Sequence, residues 1–158
     1  MKIIFSIFIH RPPETVWTFL ANPENMLLWN GNVTHVSPSS FADIKQGYRY
    51  TITYHLHGNS NATQFQAEIV HFEPPSKLVT RHTEGQSSPH SNRVIEETYE
   101  LLERNGGTFL TQTMRIENSG VNIFLRLLTW LLLKFGKPTG TPYLSPLRDI
   151  IERDEDNI

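Results

Sequence analysis

The sequence predicts an α+β domain built on an antiparallel sheet. Six segments between residues 32 and 116 are rich in β-branched and aromatic residues, and short breaks such as EPPS and RNGG separate them. These connections are too short for the helices that join parallel strands, so an antiparallel meander is expected. A leucine-rich stretch, Val121 to Phe135, adds a long helix after the sheet.

The N-terminal segment is predicted to form a strand followed by two short helices. Lys2 to Ile9 is apolar and runs into two prolines, which cannot continue a strand ladder. Pro13 suits the first turn of a helix that stops at Pro23, and a second short helix extends to Trp29. Neither helix is long enough to be stable alone, so both are expected to pack on the sheet.

Alternation along the second meander strand places three tyrosines on one face. Tyr48, Tyr50 and Tyr54 share that face, whereas Arg49 and His55 belong to the opposite face. Inward tyrosines are unusual because each buried hydroxyl needs a hydrogen-bond partner, which a ligand or a cavity water would supply. The six predicted strands are Val33–Val36, Tyr48–Leu56, Thr63–Phe72, Lys77–Glu84, Arg93–Glu103 and Thr108–Ile116.

The long C-terminal helix is apolar around most of its circumference. It is too short, and too interrupted by Arg126, to span a bilayer. Its apolar surplus needs burial under the proline-rich segment that follows, in a homodimer, or against a membrane surface. After GKPTGTP, a further helix is expected from about Ser145 to Asp154.

Composition limits the classes of function. A chain of 158 residues is the usual size of one domain, expected to cover residues 1–158. The 14 basic and 16 acidic residues are spread along the chain, so no nucleic-acid partner is expected. The absence of cysteine excludes disulfides, thiolate nucleophiles and cysteine-ligated zinc. The first residues, MKIIFSIFIHRPP, place charges and prolines where a signal peptide has small cleavage-site residues, so a cytoplasmic location is expected.

The order of these elements and their local sequence motifs resemble those of the START-like superfamily of helix-grip proteins, also called SRPBCC or Bet v 1-like. This superfamily includes polyketide cyclases, lipid-transfer domains and plant pollen allergens. The resemblance is carried by IHRPPETVWTFLANPENMLLW, by the AEIVHFEPPSKLVTR and YELLERNGGTFLTQT hairpins, and by YLSPLRDIIE near the end. It covers nearly the whole chain.

The resemblance implies a curved antiparallel sheet of six to seven strands wrapped around a long C-terminal helix. The two short helices would close one end, anchored by Trp17 and Trp29, and an apolar cavity would lie between sheet and helix. In this chain GKPTGTPYLSP interrupts what is usually one long helix. Members typically hold lipids, sterols, polyketides or hormones in that cavity.

The leading hypothesis is a binding or transport protein for a hydrophobic or amphipathic small molecule, such as a lipid, a polyketide or a quinone-like compound. Alternation allows Arg81 or His82, but not both, to point inward. No cofactor and no metal are predicted, because the His55/His57 pair has no third ligand. The candidate ligand-binding residues are Tyr48, Tyr50, Tyr54, Phe65, His82, Glu96, Phe124, Leu128 and Trp130.

Two alternatives stay open. The first is an enzyme of the polyketide cyclase, dehydratase or aromatase type, which would need an inward His or Glu in an apolar pocket; no catalytic residue is assigned. The second is a protein-interaction module of the same fold, whose cavity would be filled by its own side chains. Peripheral membrane contact is compatible with each of these hypotheses.

Overall fold

A continuous sheet of seven antiparallel strands forms the body of the protein. The structure, a computed structural model, describes residues 2–38, 43–55, 62–85, 93–117 and 143–153. The strand order is β1-β7-β6-β5-β4-β3-β2, so β1 closes the meander beside β7. The strands are β1 (Lys2–Ile9), β2 (Val33–Ser37), β3 (Arg49–Tyr54), β4 (Thr63–Glu73), β5 (Lys77–Glu84), β6 (Val94–Arg104) and β7 (Gly107–Glu117). The helices are α1 (Pro13–Ala21), a 3-10 turn (Pro23–Asn25), α2 (Met26–Trp29) and α3 (Ser145–Arg153).

This architecture confirms the predicted fold class. Every predicted strand is present, the pairing is antiparallel throughout the sheet, and two short helices follow the first strand. The predicted long helix, Val121 to Phe135, lies outside the described residues. Within the described ranges, no helix is long and apolar enough to cross a membrane. The expected cytoplasmic location and homodimer stay predictions.

The short helices pack against the inner face of the sheet through their tryptophans. Trp17 and Trp29 are buried, and the Trp17 ring lies 5.1 Å from the ring of Phe72 in an edge-to-face arrangement. The bend between the helices is held by a side-chain cap, because Asn22 accepts a hydrogen bond from the Glu24 amide at 3.1 Å. The helices therefore close one end of the inner face of the sheet.

Helix α3 is fastened to the end of β1. The buried side chains of Leu147 and Ile151 face the core. Glu152 accepts a hydrogen bond from the His10 backbone amide at 2.7 Å, and its carboxylate lies 3.0 Å from His10 Nδ1. These hydrogen bonds lower the pKa of the Glu152 carboxyl, although partial burial opposes them.

The outer face of the sheet carries a row of alternating charges. Strand register places Arg49 opposite Glu68, Glu68 opposite Arg81, Arg81 opposite Glu96, and Glu96 opposite Arg115. Arg49 pairs with Glu68 at 3.1 Å and Arg81 with Glu96 at 3.0 Å. Charges thus occupy the outward positions, where they remain hydrated at little cost.

Candidate functional site

Buried polar side chains collect on the inner face of three neighbouring strands, β5, β6 and β7. Thr80 lies opposite Glu97 across β5 and β6, and Tyr99 lies opposite Gln112 across β6 and β7. His82 follows Thr80 on the same face of β5. Glu97 is 2% exposed, and His82 and Gln112 are fully buried. These five residues are called the inner polar cluster below.

A chain of hydrogen bonds links β7 to the buried carboxylate. Gln112 Nε2 donates to the Tyr99 hydroxyl at 3.0 Å, and that hydroxyl donates to Glu97 Oε2 at 2.9 Å. Within the described residues, Gln112 Oε1 has no hydrogen-bond donor. The cluster therefore presents spare acceptor capacity inside the protein.

His82 is held between two hydroxyl groups. Its Nδ1 lies 3.4 Å from the Tyr54 hydroxyl, and its Nε2 lies 3.2 Å from Thr80 Oγ1. Burial lowers the pKa of His82, and the nearby charge of Glu97 opposes this only in part. The imidazole is therefore neutral at physiological pH, so one of its nitrogens carries a hydrogen and the other is an acceptor.

The tyrosines around the cluster are neutral hydroxyl groups. Burial raises the pKa of Tyr50, Tyr54, Tyr99 and Tyr143, and the negative charge of Glu97 raises each of them further. Tyr143 reaches this region from the start of α3 and accepts a hydrogen bond from Asn30 Nδ2 at 3.1 Å. The field of one carboxylate is thus felt by aromatic groups from several elements.

A small pocket lies beside Glu97, under the short helices. Its volume is about 20 Å³, which is enough for one water-sized group. Phe19 lines both this pocket and an open groove of about 500 Å³ on the protein surface, which reaches Ile151 of α3. The described lining of the pocket is Phe19, Leu20, Asn22, Pro23, Met26, Trp29, Tyr50, Thr80, Glu97 and Tyr99.

A second buried carboxylate lies further along β5. Glu84 is almost fully buried and faces Phe65 across the strand pair. Its Oε2 lies 3.6 Å from Arg93 Nε, too far for a hydrogen bond but close enough for an ion pair. Glu84 therefore has a cationic neighbour at the end of the inner face.

The structure places five of the nominated residues in or against the core. Tyr50, Phe65 and His82 are buried on the inner face, and Tyr48 and Tyr54 pack partly buried against the core. The ring of Tyr54 lies 5.6 Å from that of Phe65. Three further candidate residues, from the predicted C-terminal helix, lie outside the described residues: Phe124, Leu128 and Trp130.

The prediction that Glu96 faces the cavity is wrong. Its carboxylate lies on the outer face, 3.0 Å from Arg81 Nη2, and the inward carboxylate of β6 is its neighbour Glu97. Of the alternatives Arg81 and His82, the inward residue is His82. The sequence held one signal for the orientation of β6. Tyr99 and Leu101 follow Glu97 at every second position, so the three side chains share the face that packs on the core.

Sequence reasoning also missed Thr80, Glu97, Tyr99, Gln112 and Asn30. A lone polar residue in a strand is normally assigned to the solvent side, and only the pairing register shows that four of these five residues meet on the inner face. Among the described residues, no group of three or more side chains of the His, Asp, Glu or Cys type could hold a metal ion.

Comparisons with known proteins agree with this architecture. Protein CV1439 of Chromobacterium violaceum superposes with a TM-score of 0.66 over 97% of this chain and 98% of its own, at 16% identity. TTHA0849 of Thermus thermophilus gives 0.65 over 96% and 97%, at 18% identity. Ara h 8.0201 gives 0.62 over 96% and 97%, at 9% identity. At these identities the likeness shows the fold alone.

At the level of sequence, a search of curated proteins found no significant match. The family model described as polyketide cyclase/dehydrase and lipid transport, in contrast, matches residues 2–135, well over half of the chain. The superfamily resemblance seen in the sequence is thereby confirmed. The chain belongs to the polyketide cyclase/dehydrase and lipid transport family.

Proposed function

We propose that this protein binds an amphipathic small molecule on the inner face of its sheet, with the polar end of the molecule at the inner polar cluster. The observation that carries the proposal is the placement of Glu97, Tyr99, Gln112 and His82 together in a mainly apolar interior. Burying polar groups costs free energy unless they are hydrogen-bonded, and this cluster keeps acceptor capacity that its own members do not use.

The apolar part of the ligand would supply most of the affinity. Family membership supports a hydrophobic ligand, and the side chains around the cluster on the inner face are apolar or aromatic, including the buried Tyr50, Ile52 and Phe65. Burial of apolar surface contributes about 25 cal/mol per Å², or about 0.8 kcal/mol for each CH₂ group. The polar cluster would then fix the orientation of the ligand.

Native mass spectrometry on freshly purified protein is the first test. We expect an adduct of lipid or polyketide size that disappears when the protein is unfolded. Incubation of the protein with a panel of lipids, quinones and aromatic polyketides should restore the adduct. A protein that stays free of adduct with every member of the panel would contradict the proposal.

A chain-length series makes the test quantitative. With n-alkyl probes of one head group, kept below their micelle concentrations, each added CH₂ should tighten binding about fourfold until the apolar space is filled. An affinity that does not depend on chain length would place the probes on the surface and refute binding in the interior.

The same residues support a second candidate function, acid–base catalysis on an enolisable carbonyl compound. The specific observation is that His82 is fully buried, neutral and within 3.4 Å of the Tyr54 hydroxyl, so a proton acceptor and a proton donor lie together. If this candidate is right, His82→Gln abolishes turnover of an aromatic polyketide while native mass spectrometry still detects binding. Absence of turnover by the wild-type protein across a polyketide panel would leave binding as the function.

A further inference from the structure

We propose that the polar end of the ligand is a primary ammonium group, which would occupy the pocket beside Glu97. This inference rests on the proposed function, because it specifies the head group of the same bound molecule. Three observations carry it: the charge of the pocket, its aromatic walls and its size.

The charge of the pocket comes from a carboxylate that has no cationic partner among the described residues. Glu97 is 2% exposed and lines the pocket, and its hydrogen-bond donor within the described residues is the neutral hydroxyl of Tyr99. No lysine or arginine occurs among the described lining residues. The other buried carboxylate of this face, Glu84, has Arg93 as its cationic neighbour. A buried charge is costly without a partner of opposite sign, so a cationic ligand group would complete the site.

The walls of the pocket also favour a cation. Trp29, Tyr50 and Tyr99 line it together with Glu97. The faces of aromatic rings attract cations, and this attraction grows when the cation is removed from water. An anionic head group would meet the carboxylate of Glu97, so a fatty acid is the disfavoured amphiphile of equal length.

The size of the pocket selects among cations. A volume of about 20 Å³ holds one water-sized group, which matches an ammonium group and excludes a trimethylammonium group. An ammonium group has three donors and no acceptor. Glu97 and the hydroxyl oxygen of Thr80 are acceptors in the lining of the pocket.

Four probes with the same chain test the inference on the wild-type protein: decylamine, decanol, decanoate and decyltrimethylammonium. Titration calorimetry at pH 7, below the micelle concentration of each probe, gives their dissociation constants. We expect decylamine to bind at least about tenfold more tightly than decanol, a ratio equal to about 1.4 kcal/mol. Decanoate and decyltrimethylammonium should bind more weakly than decanol.

Two matched variants locate the preference. Glu97→Gln removes the charge from the pocket, and we expect it to bring decylamine to within about twofold of decanol. Glu96→Gln makes the same chemical change one residue away on the outer face, and it should preserve the wild-type ratio. Circular dichroism and thermal unfolding check that each variant folds, and the four-probe comparison on wild-type protein does not depend on either variant.

The outcomes separate the two proposals. Equal binding of the four probes, or an unchanged amine preference in Glu97→Gln, overturns the ammonium inference and leaves the binding function intact. Failure of all four probes to bind contradicts the proposed function itself. Preference for decyltrimethylammonium over decylamine also overturns the inference, because it requires a larger head-group site than the pocket beside Glu97.

Discussion

Replacing Tyr99 by phenylalanine removes one hydroxyl group and tests the hydrogen-bond chain of the inner polar cluster. That hydroxyl donates to Glu97 Oε2 at 2.9 Å and accepts from Gln112 Nε2 at 3.0 Å, and all three residues are buried. Each buried polar group left without its partner costs about 1–3 kcal/mol, and a charged one costs more. Two such groups give a loss of roughly 2–6 kcal/mol from a typical total of about 5–15 kcal/mol.

Urea unfolding followed by circular dichroism measures this loss, and the thermal midpoint should fall by roughly 4–24 °C. Tyr54→Phe is the matched control, because the contact that its hydroxyl makes within the described residues, with His82, is long at 3.4 Å; we expect a loss of stability below about 1 kcal/mol. If Tyr99→Phe is as stable as the wild type, water satisfies both partners and the argument for a costly, preorganised cluster is refuted.

Three further predictions concern other parts of the chain. Burial lowers the pKa of His82 below its unfolded-state value of about 6.5. The free energy of unfolding is therefore highest above about pH 6.5, and it decreases by at most about 1.4 kcal/mol per pH unit as the pH falls below that value. Urea unfolding from pH 7 to 5 should show this slope, and His82→Gln should reduce it. Gly107→Ala should lower the free energy of unfolding by about 1–3 kcal/mol or more, because a Cβ there would lie 2.5 Å from a backbone oxygen of β1. Gly31 has open space around it, so Gly31→Ala should change the stability by no more than about 0.5 kcal/mol. Equal thermal midpoints for the two variants would contradict this prediction. Glu152→Gln should lower the free energy of unfolding by about 1 kcal/mol, because an amide replaces the carboxylate that binds His10. An unchanged thermal midpoint would show that α3 docks without this contact.

The strands were predictable from sequence because their signal is local. Alternation in β3 correctly assigned Tyr50 and Tyr54 to the inner face, and the turn residues bounded β5 on both sides. Helix α1 was predictable for the same reason, since Pro13 and Pro23 mark its limits. These features depend on residues that are neighbours in the chain.

The site was less predictable because it depends on register between strands. Which of the adjacent residues Glu96 and Glu97 faces inward cannot be read from those two residues themselves; it depends on the side of the strand to which Tyr99 and Leu101 belong. In β5 both Leu78 and Val79 are buried, next to a register shift in the β4–β5 pairing at Ile69, so simple alternation does not hold along the whole strand. The meeting of Glu97 with other polar groups is therefore a property of the assembled sheet.

Replacing the three members of the hydrogen-bond chain together tests whether the fold itself needs them. Single changes leave buried partners unsatisfied, whereas replacing both partners of a buried hydrogen bond by apolar groups of the same shape can be nearly neutral or stabilising. We therefore expect the triple variant Glu97→Met, Tyr99→Phe, Gln112→Leu to unfold at a urea concentration equal to or above that of the wild type, although Tyr99→Phe alone is destabilised. If the cluster serves ligand binding, this stable variant should lose the head-group selectivity that the wild type shows among probes of equal chain length. A triple variant that is less stable than each single variant would instead show that the sheet itself requires these polar groups, and their presence would then carry no argument for a ligand.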